Sequence, residues 1–269
     1  MLQCNKSHFQ DSRCPIQART KLSDSPMHVR LTLMLYPPVT TEESILRPTL
    51  RHLILALLLS LLAWHVLAEL DSKALQQQLI SRFGPARVGL LNDWLQMTNA
   101  AKTSGEELKL RRVNDFINQH IVFESDMSVW QQSDYWATPL ETIGQGGGDC
   151  EDFAIIKYVS LRMAGVPIQK LRLVYVKATL KAAGGGLTQQ AHMVLAYYAT
   201  PNAEPLVLDN LDPSIRPASK RADLQPVFSF NSEGIFAGVA GNLKASEGGI
   251  NRLSRWEEAW RRIQAEGYE

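Results

Sequence analysis

An α+β domain, with a helical first half packed on a small antiparallel sheet, is the fold class this sequence predicts. Three observations carry that prediction. Apolar residues between 74 and 118 recur at helical spacing. A run from Phe153 to Ala164 reads as a buried helix that stops at Gly165-Val166-Pro167. From Leu171 onward the pattern changes to β-branched and aromatic runs separated by turn residues. Helices followed by strands, rather than alternating with them, favour one antiparallel sheet with helices on a face. At 269 residues and 45% hydrophobic content the chain is long enough to build one sizeable core. Its formal net charge of +1 is spread along the sequence and forms no basic stripe, which argues against a nucleic-acid partner.

Residues 1–46 are polar, rich in Ser, Thr and Pro, and predict a disordered leader. Arg47, Arg51 and His52 then precede an apolar run from Leu53 to Ala68 that ends in Val66-Leu67-Ala68. A positive flank, an apolar stretch and a small-residue site are the parts of a secretory signal, so 47–68 predicts a signal peptide or, uncleaved, an anchor. Met34 would begin a signal of ordinary length, which places the first residues under suspicion as a start assigned too far upstream. The expected location is outside the inner membrane, and the working domain is expected over 69–269. Without Cys4 and Cys14 that domain has one cysteine, Cys150, in a compartment where disulfides persist. A lone thiol maintained there points to use.

Within the domain, helices are predicted over 74–80, 86–98 and 106–118. The second buries Val88, Leu91, Trp94 and Leu95; the third turns Leu108, Val113, Phe116 and Ile117 inward. Trp94 is a core residue in this reading. The segment 123–145 predicts a loop carrying Trp130, Tyr135 and Trp136. Strands are predicted over 171–177, 191–198 and 205–209, with Gly184-Gly185-Gly186 as a hairpin connection. Phe228, Phe230 and Phe236 fall in a predicted loop region, and a charged helix over 253–265 turns Trp256, Trp260 and Ile263 inward.

The chemistry concentrates in Gly146-Gly147-Gly148-Asp149-Cys150-Glu151-Asp152, which sets the thiol at a helix N-terminus, where unpaired N–H groups favour thiolate. The three acids oppose this by raising the thiol's proton affinity. Two readings stand for Asp149, Glu151 and Asp152: helix N-terminal acids that satisfy N–H groups, or an oxygen shell for a hard cation such as Ca2+. A cysteine nucleophile also needs a base, and the domain has two histidines, His120 and His192. His120 ends a helix, where a cation meets the negative dipole end, and reads as structural. His192 opens a strand, and Asp209 ends the next, so antiparallel pairing can set carboxylate against imidazole; Asn210 and Asp212 compete for that place.

Gly-Gly-Asp-Cys-Glu-Asp-Phe-Ala at a helix start, Ala191-His192-Met193-Val194-Leu195 on a strand and Leu208-Asp209-Asn210 on the next resemble the papain-related transglutaminase core. More closely the chain resembles the bacterial transglutaminase-like cysteine peptidases, the LapG-type periplasmic adhesin-releasing proteases. The likeness runs from about Glu69 to the C-terminus and is strongest from Tyr135 to Asp212. It implies a papain/transglutaminase-like fold with Cys150 as nucleophile, His192 as base and acid, and Asp209 as orienting carboxylate. It implies calcium held by Asp149, Glu151 and Asp152, in line with the charge argument. It also implies a substrate, the N-terminal region of a large outer-membrane-associated adhesin whose release disperses biofilm. The regulator implied is an inner-membrane cyclic-di-GMP receptor with a periplasmic domain. Trp136 is the candidate second oxyanion donor beside the Cys150 N–H, with Trp130 and Gln145 as alternatives. Two other functions share these residues: a transglutaminase that replaces water with an amine, and a calcium-binding module in which Cys150 is incidental.

Overall fold

The computed structural model describes residues 50, 52–58, 72–182, 184–237 and 250–268. It divides into two compact units, Met1–Ile54 and Leu55–Glu269. The predicted leader over 1–46, and the predicted export signal apart from Leu50 and the helical residues 52–58, lie outside the described residues. Among the described residues no helix is long and apolar enough to cross a membrane. All the candidate site residues belong to the second unit.

The first helices follow the apolar spacing. Helix α1 covers 72–83 and buries Leu75 and Leu79, four residues apart on one face. Helix α2, Val88–Ala101, buries Leu91, Trp94, Thr98 and Ala101. Helix α3, Glu106–His120, buries Leu110, Val113 and Ile117; Leu108, expected inward, lies on the exposed side instead. Leu110 is the apolar residue that continues the Val113–Ile117 stripe one turn back, and Leu108 is 200° of helix away from it.

The segment expected to be a loop holds two short helices, α4 (Asp126–Val129) and α5 (Pro139–Gln145). The signal for α5 is local: the Thr138 side chain accepts the Glu141 N–H, Glu141 accepts the Thr138 N–H, and Pro139 occupies the first turn. Gly146 ends α5 at a φ of 74°, the left-handed cap that glycine adopts without strain. Strand β1 (Val122–Phe123) then pairs in parallel with β2 (Gly147–Gly148), which brings residues 122–126 beside the turn before Cys150.

Helix α6, Cys150–Met163, is the centre of the core. Every residue from Glu151 to Leu161 is buried, with α2, α3 and α5 around it and β3 and β4 against it. Its buried polar groups have partners: Ser160 accepts the Trp94 indole N–H at 2.7 Å and donates to the Ile156 carbonyl at 2.6 Å. At its far end the buried Lys109 ammonium donates to the Ala164 carbonyl at 2.6 Å.

The sheet has six strands in the order β6-β5-β4-β3-β7-β8, all antiparallel: β3 (Leu171–Lys181), β4 (Leu187–Tyr197), β5 (Leu206–Leu208), β6 (Arg216–Pro217), β7 (Leu224–Asn231) and β8 (Gly234–Ala237). Strands β3 and β4 pair along their whole length as a hairpin. Leu171, Leu173, Met193, Leu195 and Tyr197 face the helices, while Val174, Val176, Val194 and Ala196 form a smaller cluster on the other side. Phe228 and Phe230 belong to β7, not to a loop; stacking of Phe228 on Tyr175 at 5.3 Å helps hold that strand. Its register slips between Tyr175 and Val176 because Pro226, without an N–H, cannot continue the ladder, and Val227 is the extra residue. Helix α7, Ile250–Ala265, buries Trp256 and Ile263, and Trp256 packs against Tyr158 of α6 and Phe230 of β7. The predicted α+β architecture, helical half against antiparallel sheet, is the one found.

Trp94 is fully enclosed, bonded to Ser160 and met edge-on by Tyr268 at 5.5 Å. Trp94→Ala should therefore lower the free energy of unfolding in urea by about 3–5 kcal/mol; a loss below about 1 kcal/mol would contradict this packing.

Candidate active site

Cys150 opens α6, so its backbone N–H and those after it are first-turn groups without helical partners. Gly148 before it is required by crowding: a Cβ there would come within 2.5 Å of Asp152 Oδ2. Strand β5 pairs with β4 only from Leu195 to Tyr197, which leaves the Ala191–Met193 stretch of β4 without a β5 partner. Cys150 lies against that stretch and takes a hydrogen bond from the Met193 backbone N–H.

His192 is buried, and its Nε2 is 2.8 Å from Asp209 Oδ1. Asp209 is held from several sides. Its Oδ1 also accepts the Leu211 N–H at 3.1 Å, and its Oδ2 accepts Arg221 Nη2 at 2.6 Å. Its carbonyl accepts Asn118 Nδ2 at 2.9 Å and Lys157 Nζ at 3.0 Å. Burial alone would raise the proton affinity of Asp209, but the hydrogen bond and charge of His192, together with Arg221, hold its carboxyl down to about 2. Burial draws the Lys157 ammonium down to about 7 against the opposing pull of Asp209 and Asp115. The competitor Asp212 is occupied elsewhere: it accepts the Ser214 N–H at 3.0 Å and pairs with Arg216.

Cys150 and His192 line one cleft of about 320 Å³, together with Asp126, Asp149, Glu151, Trp136, Tyr175 and Met193 among others. The Trp136 indole N–H, the oxyanion donor suggested by the sequence, is directed to Asp134 at 3.0 Å, and the ring stacks on Phe230 at 5.7 Å. It is therefore committed as a donor. Of the alternatives, Trp130 packs against Tyr135 and Gln145 is exposed at the end of α5.

The predicted acids form two overlapping groups that share Asp149. Asp149 and Asp152 converge with Asp126, a residue to which no sequence motif pointed, with one ligand oxygen from each lying within 4.8 Å of the others. Glu151 forms the other group, with Asp149 and the sulfur: it shares a side-chain hydrogen bond with Asp149, and the Cys150 thiol donates to its Oε2 at 3.0 Å. Neighbours on a helix project about 100° apart, so Glu151 and Asp152 approach Asp149 from different sides. Asp152 folds back and accepts the Ala137 N–H at 2.8 Å and the Asp149 N–H at 3.3 Å. Asp126 arrives through the parallel pairing of β1 with β2, which no local signal in the sequence announced.

These acids lack counter-charge. Among the described residues the cleft lining contains no Lys or Arg, and Arg255, whose charge reaches Asp126, is itself paired with Asp134. Burial, then the charge of Asp149, pushes Asp126 up to about 6. Burial, then Glu151, pushes Asp149 up to about 8, and Asp152 lies well above the ordinary carboxylate range for want of solvent. The same burial, followed by the Glu151 carboxylate, raises the Cys150 thiol strongly. Asp126 Oδ1 and Asp149 Oδ1 are buried oxygens without a hydrogen-bond partner among the described residues. Three converging carboxylates with two orphaned oxygens are the donor set of a hard cation such as Ca2+, so the residues present fit that ion.

The chain matches the family described as bacterial transglutaminase-like cysteine proteinase over residues 92–223. Three solved structures of Legionella pneumophila LapG are similar along most of its length. One is 37% identical, with 71% of this chain and 97% of that chain covered and a TM-score of 0.57. An EGTA-treated form is 37% identical over the same shares, with a TM-score of 0.58. A calcium-bound form is 36% identical over 71% of this chain and 98% of that one, with a TM-score of 0.57. None of the curated proteins matches. The chain belongs to the bacterial transglutaminase-like cysteine proteinase family.

The depressed Asp209 carboxyl makes a signed prediction. Its folded-state value of about 2 lies below the ordinary 3.8, so the folded chain gains about 2–3 kcal/mol at neutral pH. That gain is present above pH ~4 and is lost as pH falls toward ~2. Thermal melts from pH 6 to 2.5 should show this loss in the wild type and a flatter curve in Asp209→Asn.

Proposed function

We propose that this bacterial transglutaminase-like cysteine proteinase is a calcium-dependent endopeptidase of the periplasm that cuts the N-terminal region of a large outer-membrane-associated adhesin, releasing it and promoting biofilm dispersal. The observation that carries the catalytic part is the buried His192–Asp209 pair, at 2.8 Å, on the cleft that Cys150 also lines. Because Nε2 is engaged with Asp209, Nδ1 is the ring nitrogen left to take the thiol proton. The thiolate attacks the scissile carbonyl carbon, and the developing oxyanion accepts from the Cys150 N–H at the start of α6. His192 then returns its proton to the leaving amine, giving a thioester. Water, deprotonated by the same imidazole, releases the acid and restores the thiol.

A calcium ion held by Asp126, Asp149 and Asp152 would supply positive charge beside a thiol that burial, then Glu151 and Asp149, otherwise hold protonated. Glu151 borders that site through Asp149 and also accepts the thiol hydrogen bond. The calcium reading is supported by the donor set and by the similarity to a calcium-bound structure. The adhesin substrate, the periplasmic location and a cyclic-di-GMP receptor that sequesters the protease follow from the family resemblance.

Incubating the mature protein with an adhesin N-terminal fragment, with mass spectrometry of the products, tests the whole reading. Two fragments should appear with calcium and none with EGTA or with Cys150→Ala. Undiminished cleavage by Cys150→Ala would sink it, and incorporation of an added amine in place of hydrolysis would point to acyl transfer. Asp126→Asn should weaken calcium binding tenfold or more, about 1.4 kcal/mol or greater by titration calorimetry. The folded trio holds protons more tightly than free carboxylates, so protons compete with the ion at low pH. The rise in melting temperature produced by calcium should accordingly grow from pH 5 to pH 8.

A further inference from the structure

We propose that Arg221 is a positioning residue for the catalytic triad, its Nη2 fixing Asp209 Oδ2 at 2.6 Å so that Oδ1 is presented to His192 Nε2. The inference rests on the triad reading and extends it to a residue outside the cleft. Asp209 is almost wholly buried, and a buried carboxylate facing only a neutral imidazole is poorly compensated. His192 changes charge during turnover, whereas a guanidinium does not. Arg221 therefore supplies a permanent positive charge, and Asp209 remains ionised whether His192 is carrying the thiol proton or has given it up.

The geometry adds direction to charge. The two carboxylate oxygens are divided, Oδ1 to His192 and the Leu211 N–H, Oδ2 to Arg221, so the carboxylate cannot rotate without breaking a bond on one side. Arg221 is in turn fixed by Asp223, which accepts from Nε at 3.0 Å and from Nη2 at 2.8 Å. Nη2 is thus shared between a buried carboxylate and a half-exposed one. A planar fork can serve two acids in fixed directions; an ammonium on a flexible stem cannot. With the Asp209 backbone already anchored by Asn118 and Lys157, Arg221 sets the remaining freedom, the side-chain torsion.

The test pairs turnover of the adhesin fragment with proton–nitrogen NMR of the full mature chain labelled at its histidine rings. In the wild type His192 should show an Nε2-protonated ring with a downfield N–H resonance. Arg221→Met should lower kcat roughly 10–100-fold with KM little changed, and should broaden or shift that resonance upfield. Methylguanidinium should restore part of kcat to Arg221→Ala. Asp223→Asn, which leaves the Asp209 contact in place, should have a smaller effect. A folded Arg221→Met with wild-type kcat and an unchanged His192 resonance overturns the proposal. If that variant does not fold, Arg221→Lys decides: reduced kcat with a shifted resonance supports the assignment, and wild-type behaviour in both overturns it. A wild type that cleaves nothing would remove the protease reading, while the resonance would still report on Arg221.

Discussion

The buried carboxylate of Asp209 is the point through which the two halves of this domain are joined. It follows β5, yet its carbonyl is gripped by Asn118 of α3 and Lys157 of α6, and its side chain by His192 of β4 and by Arg221. Lys157 is two helical turns from Cys150 on the same buried helix, so the position of Asp209 is registered against the helix that carries the thiol. An acid in this place could not be ionised if its neighbours were apolar. The donors to its carbonyl thus place the residue, while His192, Arg221 and the Leu211 N–H set the direction of the carboxylate.

Asp209 and the acidic group beside Cys150 are two treatments of the same problem. Asp209 has a guanidinium and an imidazole, and its proton affinity falls despite burial. Asp126, Asp149 and Asp152 have no Lys or Arg among the described residues lining the cleft, and theirs rises. The first is complete within the chain. The second has orphaned oxygens and no cation among the described residues lining its cleft, and the thiol beside it is raised by burial and then by Glu151. The folded chain alone therefore leaves His192 and Asp209 mutually compensated, while the Cys150 thiol stays raised by burial and by Glu151. Under the proposed function, that asymmetry would make activity conditional on an ion.

Much of the site could be read along the chain. Gly146-Gly147-Gly148 before Cys150 and Gly165-Val166-Pro167 after Ala164 are local start and stop signals, and α6 lies between them. Strand periodicity put His192 and Asp209 on consecutive strands, and antiparallel pairing of short strands leaves few ways for them to meet. Other features are present locally but easily missed: Thr138-Pro139-Leu140-Glu141 is a capping box, and α5 follows from it. The aromatic spacing of Phe228 and Phe230 is that of a strand, although Pro226 and the nearby glycines favour a loop.

Order along the chain settled the α+β class, the thiol at a helix start and the candidate base and acid, because each depends on the conformation of a few consecutive residues. The partners of the acids were settled only by the folded chain. Asp126 reaches Asp149 and Asp152 through a two-residue parallel pairing, Glu151 joins Asp149 and the sulfur, and Arg221 meets Asp209 from beyond β6. Trp136 gave its N–H to Asp134 because a nearer acceptor was in reach. Hydrogen bonds and charges act over a few ångströms of space, and for these residues spatial neighbours are not the ones that sequence distance or helical and strand period would select.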